Sequence, residues 1–309
     1  MFTRNYLYRV IVLVVVIYLL FVPTPTNSLW WREAFNSGHT VLFVILSFFI
    51  YRQLKVTTRF SNDLAIYFLV LFIGLLFGVL IELLQKLVQR EASLSDFYGD
   101  FFGLMAGLCL IAAYNLKKIQ YKKLTTVFLI ITGTVFLFTG VYPLIKLSWH
   151  YIERFNAFPV IADFDSNWSS SFVRFNNVDM LWVPGSKQDI SLYPVRFNQG
   201  IYPAISVFET EPDWSNYQVL RMNIFSENED NIVLGLRIHD DKHNQDSADR
   251  FNKKLIIQPG LNEIKISLNQ VRHGPVNREL DLANVAAIKV FSSKLDEHIL
   301  LEVSNIYLE

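Results

Sequence analysis

The first 150 residues carry five apolar stretches in close succession, and the rest of the chain carries none of comparable length. A bilayer core takes about 17–25 apolar residues as helix. The stretches lie near Tyr6–Val22, Thr40–Tyr51 (extended back through Ala34–His39), Leu64–Leu87, Phe97–Tyr114 and Leu124–Leu147. A water-soluble fold cannot cover so much continuous apolar surface. The first half therefore reads as an α-helical membrane bundle of about five transmembrane helices. The first stretch has a basic start, but Pro23-Thr-Pro-Thr-Asn-Ser28 lacks a small-x-small cleavage pattern, so it is expected to stay as a span.

A net charge of zero conceals two opposite halves. Residues 1–159 hold 14 basic and 7 acidic residues, and residues 160–309 hold 14 and 21. Within the first half the cations cluster on alternate connections. One set holds Arg4, Arg9, Arg52, Lys55, Arg59, Lys117, Lys118, Lys122 and Lys123, and the other only Arg32, Lys86 and Arg90. The positive-inside rule then predicts a cytoplasmic N-terminus, and five crossings deliver the acidic half to the opposite side. For a bacterial inner (cytoplasmic) membrane that side is the periplasm or the exterior. The charge balance excludes a nucleic-acid binder of the usual basic type. A single cysteine, Cys109, excludes an intrachain disulfide framework.

From Val160 onward the pattern changes to short runs rich in Val, Ile, Phe and Tyr, separated by polar turns. This is the signature of strands. Candidates are Ser171–Phe175, Ile201–Phe208, Tyr217–Ser226, Asn231–His239, Arg250–Ile257, Asn262–Ser267, Val285–Phe291 and Leu300–Leu308, punctuated by Gly200, Pro259-Gly260 and Gly274-Pro275. The expectation is an all-β jelly-roll sandwich over 160–309, a membrane domain over 1–150, and a linker over 151–159.

Ionisable residues inside spans are costly and thus functional candidates. Glu82 and Gln85 share a face of the third span, and Asp96, Asp100, Gly103 and Gly107 share a face of the fourth. Ser93 or Ser95 can cap the fourth span. His39, Glu82, Gln85, Arg90, Ser93, Asp96 and Asp100 all fall at one depth and could form one polar cluster. Each also has a plainer reading. Glu82 can pair with Lys86, Asp96 can be a helix-start residue, and His39 an interfacial one. Gly99, Gly103 and Gly107, with Gly74 and Gly78, read as close-packing faces between helices.

The run Glu82-x-x-Gln85, Arg90, Ser93, Asp96, Gly103 and Gly107, with His39 leading an apolar span, resembles the VanZ-like family of small bacterial membrane proteins over roughly residues 5–115. The chain departs from that pattern at Asp100, where the family often has Asn, and at Phe35-Asn-Ser-Gly38, where an Asp-Lys pair is common. The family takes its name from glycopeptide-antibiotic resistance, so the resemblance implies a role in the cell envelope. The second half resembles the galactose-binding-like sandwich of many carbohydrate-binding modules. Asp163-Phe-Asp-Ser-Asn-Trp168, Asp213-Trp-Ser-Asn-Tyr217, Arg250-Phe, Gln258-Pro-Gly-Leu-Asn-Glu-Ile264, Leu280-Asp-Leu-Ala-Asn284 and Val303-Ser-Asn-Ile-Tyr-Leu308 carry the likeness. It implies a glycan ligand, and a structural Ca²⁺ on Asp163 or Asp165 with Glu302 is consistent with it; oxygen ligands suit that ion. No other cofactor is expected.

Aromatic rings cover the apolar face of a sugar, and planar polar groups meet its hydroxyls. Trp168, Trp182, Tyr193, Tyr202 and Trp214 lie in or near expected loops and are the ligand-binding candidates, with core packing as the alternative for each. The polar stretch Asp240–Asp249 reads as a solvated loop or a ligand loop. The sequence contains no P-loop, dinucleotide glycine fingerprint, serine elbow or H-E-x-x-H. Three functions remain open: a non-enzymatic envelope protein whose sandwich binds a glycan, a membrane enzyme or transporter acting on a lipid-linked saccharide at the outer leaflet, and a purely structural role. The expected partners are the lipid bilayer and a glycan or lipid-linked saccharide, with no nucleic acid.

Overall fold

The computed structural model describes residues 28–57, 62–87, 94–116, 122–181, 192–210 and 213–309. The expected first span, Tyr6–Val22, lies outside them. The chain divides into two compact units, residues 1–146 and 147–309.

Among the described residues four helices are long and apolar enough to cross a membrane. They are α1 (Leu29–Thr57), α2 (Asp63–Leu87), α3 (Leu94–Leu116) and α4 (Lys123–Ala157). Each contains the stretch expected from the sequence and runs beyond it. A helix supplies its own backbone hydrogen bonds, so polar residues at its ends, such as Asp63 and Asn115, join without a break. At 35 residues α4 spans about 52 Å, well beyond a bilayer core of about 30 Å. Residues 151–157, expected as part of a linker, continue this helix. Its last turns belong to the second unit, where the Arg154 guanidinium lies 4.1 Å from the Phe172 ring centre and His150 meets the Ser171 hydroxyl at 2.7 Å.

The first unit packs through its glycines. A Cβ on Gly103 would stand 2.3 Å from the Thr40 carbonyl oxygen, and one on Gly107 would overlap the Ser47 hydroxyl at 1.8 Å. A Cβ on Gly140 would meet the Thr40 side chain at 2.5 Å. Backbones of α1 and α3 therefore touch where larger residues would hold them apart, the small-residue packing that replaces the hydrophobic effect in lipid. Phe43, Leu46, Ile50, Ile66, Val70, Ile81 and Leu104 fill the interior. Phe68, Phe72, Leu76, Val127, Phe128, Ile131 and Val135 point outward and are exposed. Near the Thr57 end, the Asn115 amide donates to Tyr51 Oη (2.6 Å) and Tyr67 Oη (3.0 Å), and Lys55 pairs with Asp63.

The second unit is an antiparallel β-sandwich. Its strands are β1 (Val160–Ala162), β2 (Val173–Asn176), β3 (Val178–Met180), β4 (Tyr193–Phe197), β5 (Gly200–Ile201), β6 (Ala204–Phe208), β7 (Val219–Ser226), β8 (Ile232–Asp240), β9 (Phe251–Ile257), β10 (Gly260–Ser267), β11 (Val285–Phe291), β12 (Lys294–Leu295), β13 (Ile299–Val303) and β14 (Ile306–Leu308). One sheet runs β1-β14-β7-β13-β4-β3, with β10 also paired to β7, and the other runs β2-β6-β11-β8-β9. β5 and β12 form a small ribbon. The strands alternate, burying every second residue, as one solvated face per sheet requires. Their inward residues, among them Leu220, Ile224, Val195, Ile205, Leu236 and Ile288, meet in one core with Trp214 fully buried.

The expected strand Leu300–Leu308 is two strands. At the break the Ser304 hydroxyl accepts from the Asn223 N–H at 2.7 Å, and Asn305 Oδ1 accepts from the Phe164 N–H at 3.0 Å. The Ser304 side chain thus takes the place of a ladder bond to β7 between the two strands, and Asn305 ties the break to the segment after β1. Pro259-Gly260 turns as expected, with Gly260 at φ +87, open to glycine without strain.

The glycine contacts predict a graded response. Gly103→Val drives a side chain into the Thr40 carbonyl and lowers the stability of the helical unit by about 1–3 kcal/mol. Gly38→Ala, which meets nothing within 4 Å, causes no loss. Thermal unfolding of both variants in detergent micelles measures the difference.

Candidate functional site

In the first unit the structure brings four of the seven expected polar residues together. His39 on α1 and Asp100 on α3 are buried, and His39 Nδ1 lies 3.1 Å from Asp100 Oδ1. Asp96, one turn earlier on α3, is also buried, and its charge and that of Glu82 reach His39. The reason is again glycine. A Cβ on Gly78 would stand 2.6 Å from Asp100 Oδ2, and one on Gly99 3.3 Å from Thr40 Oγ1, next to His39 in the chain. Bare backbone at these two positions lets α1, α2 and α3 close around the pair. Glu33, which the sequence did not single out, lies within electrostatic reach of Asp96. Arg90 and Ser93 lie outside the described residues, as does the Gln85 side chain.

Three of the five aromatic ligand candidates are corrected to core residues. Trp214 is fully buried, and Trp168 and Tyr193 are 5% exposed. Each sits where a loop enters the sandwich, and a large ring there gains more from the core than from solvent. Trp182 lies outside the described residues. Tyr202 is the remaining one, 53% exposed, with φ +56. Asp163 closes its own turn, accepting from the Asp165 N–H (3.0 Å) and the Ser166 hydroxyl. Glu302, on β13 of the seven-stranded sheet, lines a cavity with Leu181, Pro194 and Phe225. Asp163, Asp165 and Glu302 do not converge, and no group of three metal-ligating side chains assembles among the described residues.

Tyr202 stands at the edge of a face the sequence reading missed, the outward side of the five-stranded sheet. Register places Asn252, Arg237, Lys289, Ser206 and Arg174 in one row across all five strands. The next row holds Lys254, Gly235, Phe291, Ala204 and Asn176. His239 and Phe208 flank them on either side of Ala287. Five strands spaced about 4.8 Å apart give a platform about 19 Å across. The far end of the Phe291 ring lies over Gly235, where a Cβ would meet it at 2.6 Å. Around that ring stand Tyr202 (6.2 Å between centres), the Arg237 guanidinium (5.3 Å) and the Lys289 ammonium (6.0 Å). Arg174 stacks on Phe208 at 4.9 Å. Tyr202 is held in its left-handed conformation from both sides. Its N–H donates to the Ser293 carbonyl (3.3 Å), and its own carbonyl accepts from the Asn176 amide (3.5 Å). Strained non-glycine residues of this kind cluster at ligand sites.

The electrostatics of this face are one-sided. Burial and then the neighbouring Arg250 hold the Arg237 guanidinium below its usual range. Burial, Arg237 and Arg250 do the same to Lys289. Burial, His243 and the two arginines push His239 down to about 4, so it is neutral at pH 7. The period-2 spacing of Arg237 with His239, and of Lys289 with Phe291, was visible in the sequence. Strand order was not, and the row exists only through strand order.

The polar stretch Asp240–Asp249 is a largely solvated loop, exposed at Asp241, Lys242 and 244–247, whose two ends are tied down by an ion network. Arg278 grips the fully buried Asp240 with two bonds (2.5 and 2.7 Å) and also pairs with Asp249. The Asp281 N–H donates to Asp240 at 2.9 Å, and Lys242 pairs with Asp281. Arg278 holds Asp249 down at about 2. Asp240 is also lowered: burial opposes this, and the Arg278 and Asp281 hydrogen bonds prevail.

No family model and no curated protein matches the sequence. Among solved structures, similarity is found to a family 11 carbohydrate-binding module from Clostridium thermocellum in complex with a β-1,3-1,4-mixed-linked tetrasaccharide. The match is 16% identical, covers 44% of this chain and 82% of that one, and has a TM-score of 0.33. A non-crystalline-cellulose-specific module, CBM28, matches at 10% identity over 49% of this chain and 94% of its own, with a TM-score of 0.31. An exo-β-agarase matches at 17% identity over 48% of this chain and 25% of its own, with a TM-score of 0.39.

The ion network carries a pH prediction. Both aspartates have folded pKa values below the ordinary carboxylate value, so their contribution is complete above about pH 4. It is lost as the pH falls toward the folded values, near 2 for Asp249. Arg278→Gln leaves Asp240 buried without its cation and costs about 3 kcal/mol at pH 6. Hydrogen exchange of the β8 and β9 amides reads this cost, and the gap to wild type narrows by pH 3.

Proposed function

We propose that the protein is an integral membrane protein of a bacterial envelope whose β-sandwich binds a glycan on the outward face of the five-stranded sheet. The observation that carries this reading is the Tyr202–Phe291 platform ringed by Arg237, Lys289, Asn176 and Asn252. Rings of this kind accept the C–H face of a pyranose, and planar amides and guanidinium groups donate to its hydroxyls. In this reading the N-terminus is cytoplasmic, the sandwich is periplasmic or extracellular as the distribution of cations implies, and the helical unit is of the VanZ-like type. The full chain in detergent micelles, screened against peptidoglycan fragments, lipopolysaccharide saccharides and capsular polysaccharide, tests it. Tyr202→Ala and Phe291→Ala each weaken binding about tenfold, the equivalent of about 1.4 kcal/mol. A folded chain that binds none of these glycans sinks the idea.

The buried His39–Asp100 pair favours a second reading, a membrane enzyme or transporter acting on a lipid-linked saccharide. A histidine between carboxylates can move a proton, and ionisable groups at this depth are expensive to keep. This reading expects the level of lipid-linked saccharide in host membranes to differ between wild type and the Glu82→Gln/Asp100→Asn double variant. Unchanged levels at equal protein abundance count against it.

A further inference from the structure

The glycan-binding face carries a surplus of positive charge. The row across the sheet holds Arg174, Arg237 and Lys289, the next holds Lys254, and Arg250 stands beside Asn252 with its Nε donating to Asn252 Oδ1 at 3.0 Å. None of the outward residues in these rows is a carboxylate. Elsewhere on the sandwich, six of the eight described cations are paired, Lys253 and Arg272 being the two that are not. Arg196 pairs with Asp179, Arg221 with Glu309, Lys242 with Asp281, Lys265 with Glu263, Arg278 with Asp240 and Asp249, and Lys294 with Asp296. Among the described residues no such partner stands by Arg174, Arg237, Arg250, Lys254 or Lys289. The contrast is sharper because residues 160–309 as a whole carry 21 acidic and 14 basic residues. An acidic domain has thus kept its carboxylates off one sheet face and left five cations there unpaired.

These cations cost stability where they stand. Arg237, Arg250 and Lys289 repel one another, and the Arg237 Nε is buried and makes no hydrogen bond. Like charges placed together without counter-ions are a lasting expense unless a ligand supplies the opposite charge. Their setting also specifies the ligand. Arg174 and Arg237 lie over the Phe208 and Phe291 rings, which orient the guanidinium planes and leave their edges to donate. A planar fork meets carboxylate, sulfate or phosphate oxygens in pairs.

Resting on the glycan reading above, we propose that the ligand of this face is an anionic glycan, a saccharide chain carrying acidic groups along its length. The aromatic rings take the sugar faces, and Arg174, Arg237, Lys254 and Lys289 take the acidic substituents. The platform, about 19 Å across, suits several sugar units.

The experiment uses the full chain in nanodiscs of phosphatidylcholine. Binding is measured by calorimetry for two matched pairs, oligogalacturonate against its methyl ester and sulfated dextran against dextran. The expected result is that the charged member of at least one pair binds about tenfold or more tightly than its neutral partner, with the advantage falling as salt is raised. Arg237→Gln with Lys289→Gln removes that advantage and leaves residual binding of the neutral member. Lys254→Gln, a change at an exposed position, lowers the charged member's affinity to a smaller extent and guards against a misfolded double variant. Equal binding of charged and neutral members overturns the anionic assignment while leaving the glycan reading intact. Binding of neither pair, nor of the envelope glycans screened above, removes both. Sedimentation with anionic phosphatidylglycerol vesicles that the double variant abolishes, without any charged-over-neutral preference among glycans, assigns the face to a lipid surface and also overturns the proposal.

Discussion

A peptide group in hydrocarbon has no water to bond, so a segment that crosses a membrane must close its N–H and C=O bonds internally. Four described helices of the first half are long and apolar enough for that setting, where the hydrophobic effect is no reason for them to associate. What brings them together is contact, and contact requires small residues. Gly103 and Gly107 lie against Thr40 and Ser47, Gly140 against Thr40, and Gly78 against Asp100. The polar cluster is a consequence of this packing. His39 and Asp100 come within 3.1 Å because the helices carrying them can touch.

The second half meets water, so burial of apolar surface drives it and its backbone pairs between strands. Two sheets share one core, and each presents an opposite face to solvent. The two solvent-facing polar features of the sandwich are built on contrary lines. Arg278 bridges Asp240 and Asp249, and Lys242 pairs with Asp281, so the loop after β8 is pinned to the segment before β11. On the outward face of the five-stranded sheet the cations stand without carboxylate partners, and the proposed anionic-glycan site rests on that contrast.

Much of this architecture was legible along the chain. Helix positions followed from apolar length, because a span is a local property of about 20 residues. Most strands followed from alternation, and Val285–Phe291 emerged with the expected bounds. Glycine spacing in α2 and α3 already pointed to close helix contact, and a shared depth is why His39, Glu82, Asp96 and Asp100 could be grouped in advance. The failures have a common cause. Trp168, Tyr193 and Trp214 looked like loop aromatics, yet burial is decided by what packs above a residue, which the local sequence does not contain. The split of the last strand depends on Ser304 and Asn305 meeting Asn223 and Phe164, residues about 80 and 140 positions away in the chain. The basic row needed the neighbours of five strands, drawn from residues 174 to 289.

By itself, then, the sequence determined the division into an apolar helical half and an acidic β half, the place of the long helices and of the longer strands, and the opposing charges of the halves. These depend on composition and short-range period, which are written in consecutive residues. Tertiary structure alone decided which aromatics are core, that Tyr202 and Phe291 form a platform, that Arg278 neutralises Asp240 and Asp249, and that Arg174, Arg237 and Lys289 share one row. Those outcomes depend on strand order and register, and hydrogen bonding between distant strands sets both.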